Sequence, residues 1–350
     1  MIFIDGRPLM LASSSSSSPH PQGIEILNAL MGHPTVLSSS HAFKDIPERK
    51  FTSSEESSSE RPSQPNFVYL FQREYAAVDP AMVDFVGTDE ATTCVGLAIR
   101  NRQSGMTSVA HMDSPDVVEI GLTQMLSLVV NNGSRAELDV HLIGGFEDAP
   151  AGVSNQVSRT GRPGKQVGYS LPLCIKIVES LWKRQEKFRI QTMFVLGHNT
   201  KRDAEGNAYP IFNGFLVETA TGSVFPASFD GTSRCPDEIV RRIRVTACND
   251  DPSWKGKLLE TYDTLTDKFV VAPCCWSRHQ LRIALTFYSL SDPEILFTCS
   301  TSPLAEGPDF VYNIRRQWDY LIKHPDWRMT FPEKQPRVFA RTNRGGWMRC

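Results

Sequence analysis

One segment gathers small polar residues ahead of a single cysteine: Gly87-Thr88-Asp89-Glu90-Ala91-Thr92-Thr93-Cys94. The run from Cys94 to Ile99 is apolar and β-leaning, so the thiol stands at the very start of a strand. A side chain there lies at a sheet edge, beside a loop whose backbone N–H groups lack ladder partners. A thiol nucleophile needs both conditions: access, and donors for a developing oxyanion. His111 follows 17 positions later and closes a second β-leaning run, Thr107 to His111. If the two runs pair around the turn-like stretch 101–105, the ends bearing Cys94 and His111 meet. An imidazole beside a thiol lowers the thiol's pKa and can hand a proton to a leaving amine. Thr88 would either orient that imidazole or cap a turn. A cysteine at a strand start is, taken alone, more often inert packing; the hairpin relation to His111 is what favours chemistry.

The elements that must position these groups follow from periodicity. Residues 1–10 predict a short strand, a turn at Asp5-Gly6 and a polar continuation, and Ile24 to Leu30 predicts one or two helical turns. Ser13 to Ser18 is a homopolymer run that offers no apolar surface to offset the entropy of ordering. Ser38 to Pro65 reads as a linker. From Asn66 the pattern is globular: strands at 67–71, 138–143, 190–196, 211–217, 224–228 and 269–272, and helices at 117–130, 171–188, 236–245 and 308–323. Ala149 to Gly168, with four glycines and two prolines, reads as a surface insertion. Mixed strands and helices predict an α+β fold, a layered mixed β-sandwich flanked by helices. The predicted organisation is an N-terminal strand with Ser-rich flexible segments over 1–65 and a single catalytic domain over 66–350.

Bulk properties narrow the field further. With 350 residues, 40% hydrophobic and 22% charged, the chain can bury a sizeable core. A formal net charge of -2 gives no basis for bulk electrostatic capture of nucleic acid or an anionic membrane. No stretch approaches the roughly 18 apolar residues of a membrane span. The start has an acid, Asp5, where a signal peptide is basic, and residues 1–44 hold a single arginine, Arg7, unlike a transit peptide. Cytosol or nucleus is therefore expected over plastid. None of the eight cysteines forms a C-x-x-C pair, which predicts reduced thiols and no structural metal. His141 reads as a satisfied core histidine, and the basic stretches 183–189 and 241–244 as solvated helix ends.

Four stretches carry a family resemblance: Asp-Glu-Ala-Thr-Thr-Cys at 89–94, Ala-His-Met-Asp at 110–113, His-Leu-Ile-Gly-Gly-Phe at 141–146 and Ser-Thr-Ser-Pro-Leu-Ala-Glu at 300–306. In this order they resemble the signature stretches of protein N-terminal asparagine amidohydrolases, in the plant form of the family. Weaker similarities at residues 2–9, 72–74 and 227–229 extend the resemblance over nearly the whole chain. The Thr, Cys and His spacing also resembles that of the chemotaxis-receptor glutamine deamidases and cytotoxic-necrotising-factor toxins, which implies a layered fold with a mixed β-sandwich.

The resemblance implies Cys94 as nucleophile, His111 as acid/base and Thr88 as orienting hydroxyl, with Thr92 and Thr93 close by. It implies substrates beginning with Asn, conversion of that Asn to Asp without cofactor or metal, and a place in the N-degron route beside an arginyl-transferase and an N-recognin. A free α-ammonium would need a carboxylate, for which Asp113 and Glu306 are candidates because they lie within the matched stretches. Two other functions fit the same residues: a glutamine side-chain deamidase, and a catalytically silent module that binds N-termini.

Overall fold

The computed structural model describes residues 1–11, 22–52, 65–130, 136–149, 168–342 and 346–350. The Ser13–Ser18 run and nearly all of the 149–168 insertion lie outside the described residues. The architecture is α+β. An eight-stranded mixed sheet runs in the order Leu259–Glu260, Glu74–Val78, Thr107–Met112, Val95–Asn101, Glu137–Gly144, Lys187–Phe194, Ile2–Ile4 and Arg7–Pro8.

Alternation along its central strands divides the molecule. Val95, Leu97 and Ile99 point to one face, where they meet the apolar sides of helices Gly23–Met31, Val118–Val129 and Ser170–Lys183. Ala98, Val109 and Ile143 point to the other, where they meet Val68, Val86, Phe215 and Val217 of a second, five-stranded sheet. That sheet runs Arg49–Phe51, Val224–Phe229, Phe215–Glu218, Phe85–Thr88 and Phe67–Leu70. The two sheets form the expected sandwich. A third layer adds helices Glu238–Asn249, Arg278–Phe287 and Phe310–Lys323 and a four-stranded sheet that includes Lys268–Val271 and Arg337–Arg341. No helix among the described residues is long and apolar enough to cross a membrane.

Several expectations need correction. Residues 38–51 are not linker. Helix Pro34–Lys44 packs Phe43 against Phe194 with ring centroids 5.1 Å apart, and Ser40 Oγ donates to the Met193 carbonyl at 3.0 Å. Strand Arg49–Phe51 then pairs in parallel with Val224–Phe229. Helix Ser170–Lys183 ends before Lys187, where the next strand begins, and strand pairing in the 211–217 region starts only at Phe215. Glu74–Val78 and helices Arg278–Phe287 and Asp292–Cys299 were not foreseen. Arg241 and Arg244 are not a solvated helix end: both are fully buried, paired with buried Glu74 at 2.6 and 2.7 Å.

Candidate active site

The hairpin foreseen from the sequence forms, with Gly96 opposite His111 and Val95 opposite Met112. Cys94 directly precedes Val95, whose partner Met112 directly follows His111, so the hairpin brings the two ends together. The face of Gly96 turns into the sandwich. Gly96 carries no side chain because the ring of Phe215 occupies the space: an added Cβ would lie 2.1 Å from it. Phe215 itself pairs with Thr88 across the second sheet. The close approach of the two sheets at Gly96 therefore brings Thr88 over His111.

Thr88 Oγ1 lies 2.7 Å from His111 Nδ1 and also 2.7 Å from the Leu70 carbonyl oxygen. A hydroxyl has one proton, and a carbonyl can only accept it. Thr88 thus donates to Leu70, and Nδ1–H of His111 donates to Thr88. This fixes the tautomer and leaves a lone pair on Nε2, which is buried and has no hydrogen-bond partner among the described residues. Among the described residues no hydrogen bond joins the Cys94 thiol to the imidazole; in apo structures such bonds are often long and tighten only when substrate binds.

The electrostatics depart from the expectation that the imidazole lowers the thiol's pKa. Burial pushes the Cys94 thiol well up, and the negative charges of Asp113 and Glu306 push it further, against Arg73. Burial holds His111 down at about 4, against the pull of Asp113, Glu90 and Glu74. At neutral pH the pair is a neutral thiol beside a neutral imidazole. The same shifts place both proposed acids in the field of the thiol. Asp113 is engaged: Arg73 Nε lies 3.1 Å from it, and Gln72 Nε2 donates to it at 3.2 Å. Arg73 is set by its own backbone, with φ of 64° and an N–H that donates to the His111 carbonyl at 2.8 Å. Glu306 accepts from Ser300 Oγ at 2.5 Å, and burial raises its pKa, helped by Glu90 and Asp309.

Sequence reasoning missed what holds the loop before Cys94. Asp89 is buried and accepts from Tyr69 Oη at 2.6 Å, the Phe229 N–H at 2.8 Å and Arg234 at 3.0 Å. Glu90, in a left-handed conformation, takes a fork of bonds from Arg242 at 2.8 and 2.9 Å and meets Arg234 at 2.8 Å. Asp89 and Glu90 were visible only as part of a matched stretch; the arginines, some 145–152 positions away, gave no signal. Downstream, Thr93 Oγ1 lies 3.2 Å from Thr301 Oγ1, and Ser170 Oγ donates to the Thr93 carbonyl at 3.3 Å. Among the described residues the amide N–H groups of Thr93 and Cys94 donate to no backbone carbonyl. Gly144, at φ of 110°, lets its strand touch Cys94: a Cβ there would sit 2.8 Å from the Cys94 carbonyl oxygen. No group of three or more His, Cys, Asp or Glu among the described residues is placed to hold a metal ion.

Comparisons with known proteins identify the family. The family model for protein N-terminal asparagine amidohydrolases matches residues 57–349. A protein N-terminal asparagine amidohydrolase of Arabidopsis thaliana is 56% identical over the full length of both chains. Those of Mus musculus and Homo sapiens are 29% and 27% identical, each over 80% of this chain and 83% of their own.

Proposed function

The chain belongs to the family of protein N-terminal asparagine amidohydrolases, and on that premise we propose that it hydrolyses the side-chain carboxamide of an N-terminal asparagine to give aspartate and ammonia. The observation that carries the reading is the seating of His111: Nδ1–H tied to Thr88, Nε2 free, in the strand paired with the one that Cys94 leads into.

Nε2 takes the thiol proton as Sγ attacks the carboxamide carbon. The oxygen of the tetrahedral adduct faces the unbonded N–H groups of Thr93 and Cys94, the donors that an oxyanion needs. Nε2 returns the proton to the nitrogen, the C–N bond breaks, and ammonia leaves a thioester. Water then attacks, its proton passes through Nε2 to the departing sulfur, and the side chain emerges as a carboxylate. Asp113 and Glu306 hold the α-ammonium, which accounts for a demand for a free N-terminus. An apolar pocket separates Asn from the longer Gln by only about 10–200-fold, so the position of the carboxamide at Cys94 must supply the rest. The product, an N-terminal Asp, fits a protein that feeds arginylation in the cytosol or nucleus.

The test compares the protein and its Cys94→Ala variant on a peptide beginning with Asn and on a twin with an acetylated α-amine, reading ammonia and peptide mass together. Conversion of the free-amine peptide alone, and only with Cys94 present, is the expected result. Conversion by the Cys94→Ala variant would overturn the assigned nucleophile. Binding without conversion by either protein would favour a silent N-terminus-binding module.

A further inference from the structure

Beside this site lies a cavity of about 210 Å³ that the reaction above does not use. Liquid water takes about 30 Å³ per molecule, so the space holds roughly seven waters, or one large side chain. Its place in the fold is specific. One wall is the Thr301–Ala305 stretch of the loop that ends at Glu306, the acid set to hold the α-ammonium. Thr301 in that wall is the residue whose hydroxyl meets Thr93, the neighbour of the nucleophile. The opposite wall begins at Phe146, two residues after Gly144, which lies against the Cys94 carbonyl. Both walls are thus built on segments that touch the backbone or side chains next to the thiol, Thr301 through Thr93 and Phe146 through Gly144.

We propose that this cavity receives the side chain of the second residue of the substrate, and that apolar residues of moderate size fill it best. The inference rests on the amidohydrolase reading. With its ammonium at Glu306 and its carboxamide at Cys94, the first residue of the substrate is fixed. An extended chain advances about 3.3–3.6 Å per residue, so the second residue arrives at the mouth lined by Thr301. Phe146, Ala208, Pro303 and Leu304 give apolar walls. Ser302 supplies the polar anchor. It is only 9% exposed, lines the cavity, and its Oγ has no hydrogen-bond partner among the described residues. A buried hydroxyl left unpaired is unfavourable, and a peptide N–H or C=O of the substrate would satisfy it. The Arg202–Glu147 ion pair, 3.0 Å long, stands at the lining, and the Asp148 carboxylate beside it accepts from the Tyr169 and Ser170 N–H groups, so the lining disfavours an acidic second residue and Asn-Asp should be the poorest of the peptides below.

The experiment measures kcat/KM for peptides Asn-Leu, Asn-Gly and Asn-Asp with identical tails. The unmodified protein should prefer Asn-Leu to Asn-Gly by about 10-fold or more, as apolar contact of this size allows. Ala208→Trp, which fills the cavity, should bring that ratio to within about 2-fold of unity. Leu304 is 66% exposed, so Leu304→Ala keeps the fold even where Ala208→Trp does not, and it should lower the ratio in the same direction. Turnover with no preference for the second residue, or a Leu/Gly ratio unmoved by both variants, would overturn the subsite while leaving the amidohydrolase reading intact. Failure of the unmodified protein to turn over any of the peptides would sink that reading, and the subsite with it.

Discussion

At the scale of single residues the proposed reaction works by orientation more than by charge. Cys94 and His111 are both neutral at rest, so in the proposed reaction the imidazole acts as a base at the instant of attack, and its aim rests on one hydroxyl. Thr88→Val removes that hydroxyl at nearly constant volume. The ring is then free to take the other tautomer, and kcat should fall about 10- to 100-fold with KM little changed, as expected of a group that orients a general base. Thr88→Ser should restore most of the rate; a Ser variant as slow as Val would mean that packing, not the hydrogen bond, is what matters. A second prediction concerns the thiol. Glu306 is one of the charges that raise its pKa, so Glu306→Gln should give more thiolate at a given pH. Iodoacetamide alkylation of Cys94 at pH 8, followed by peptide mass, should run several-fold faster in that variant. An unchanged rate would place Glu306 outside the field of the thiol and take away its role beside the substrate ammonium. The pairing that brings the Cys94 and His111 ends together was legible in the sequence because a hairpin of apolar runs is a local pattern, whereas Thr88 reaches His111 from the other sheet. The protonation of Cys94 and His111 was not legible, because it depends on how deep the sandwich buries them.

At the scale of elements, the helix Glu238–Asn249 shows why charge is a poor guide to exposure. Its arginines read as a solvated end, yet Arg241 and Arg244 point inward to Glu74, and Arg241 stacks on Phe71 and Phe269 with its guanidinium carbon 4.6 and 4.8 Å from the ring centroids. The partner that makes burial tolerable is 167–170 positions away, beyond any periodicity. Glu74 also accepts from the Phe71 N–H at 2.9 Å and so closes the turn that presents Arg73 to Asp113 and to the His111 carbonyl. The two arginines hold its carboxyl below the usual range in spite of burial. Glu74→Gln would leave two buried guanidinium groups without a counter-charge. Removing one partner of such a set costs about 3–5 kcal/mol, so the urea midpoint should drop by a corresponding amount. A variant of unchanged stability would mean that water reaches the arginines.

At the scale of the whole molecule, the sandwich was legible from alternating strands, and its N-terminal layer was not. Helix Pro34–Lys44 has serine or threonine at four of its eleven positions around two apolar anchors, Val36 and Phe43, seven positions apart on one face. Composition hid the anchors, and the strand Arg49–Phe51 is too short to announce itself. What the completed sandwich does to its histidines gives the last prediction. Burial holds His111 and His141 at about 4 against an ordinary 6.5. His141 is not the satisfied core residue its mid-strand position suggested, since its Nδ1 lacks a partner among the described residues. A histidine kept neutral in the fold takes up its proton near pH 6.5 once the chain unfolds. Between about pH 6.5 and 4 the unfolded state therefore binds more protons, and stability is lost as the pH falls, by up to about 3 kcal/mol for each histidine. Asp89 works in the opposite sense over the same window, because burial and the charge of Glu90 raise its carboxyl. The histidine contribution is best read as a difference. His141→Gln lacks the titration, so unfolding in urea at pH 7, 6, 5 and 4 should show the original protein losing ground to the variant at each step. A gap between the two that stays constant with pH would mean that the sandwich admits a protonated imidazole at His141, and that its core is wetter than its apolar lining implies.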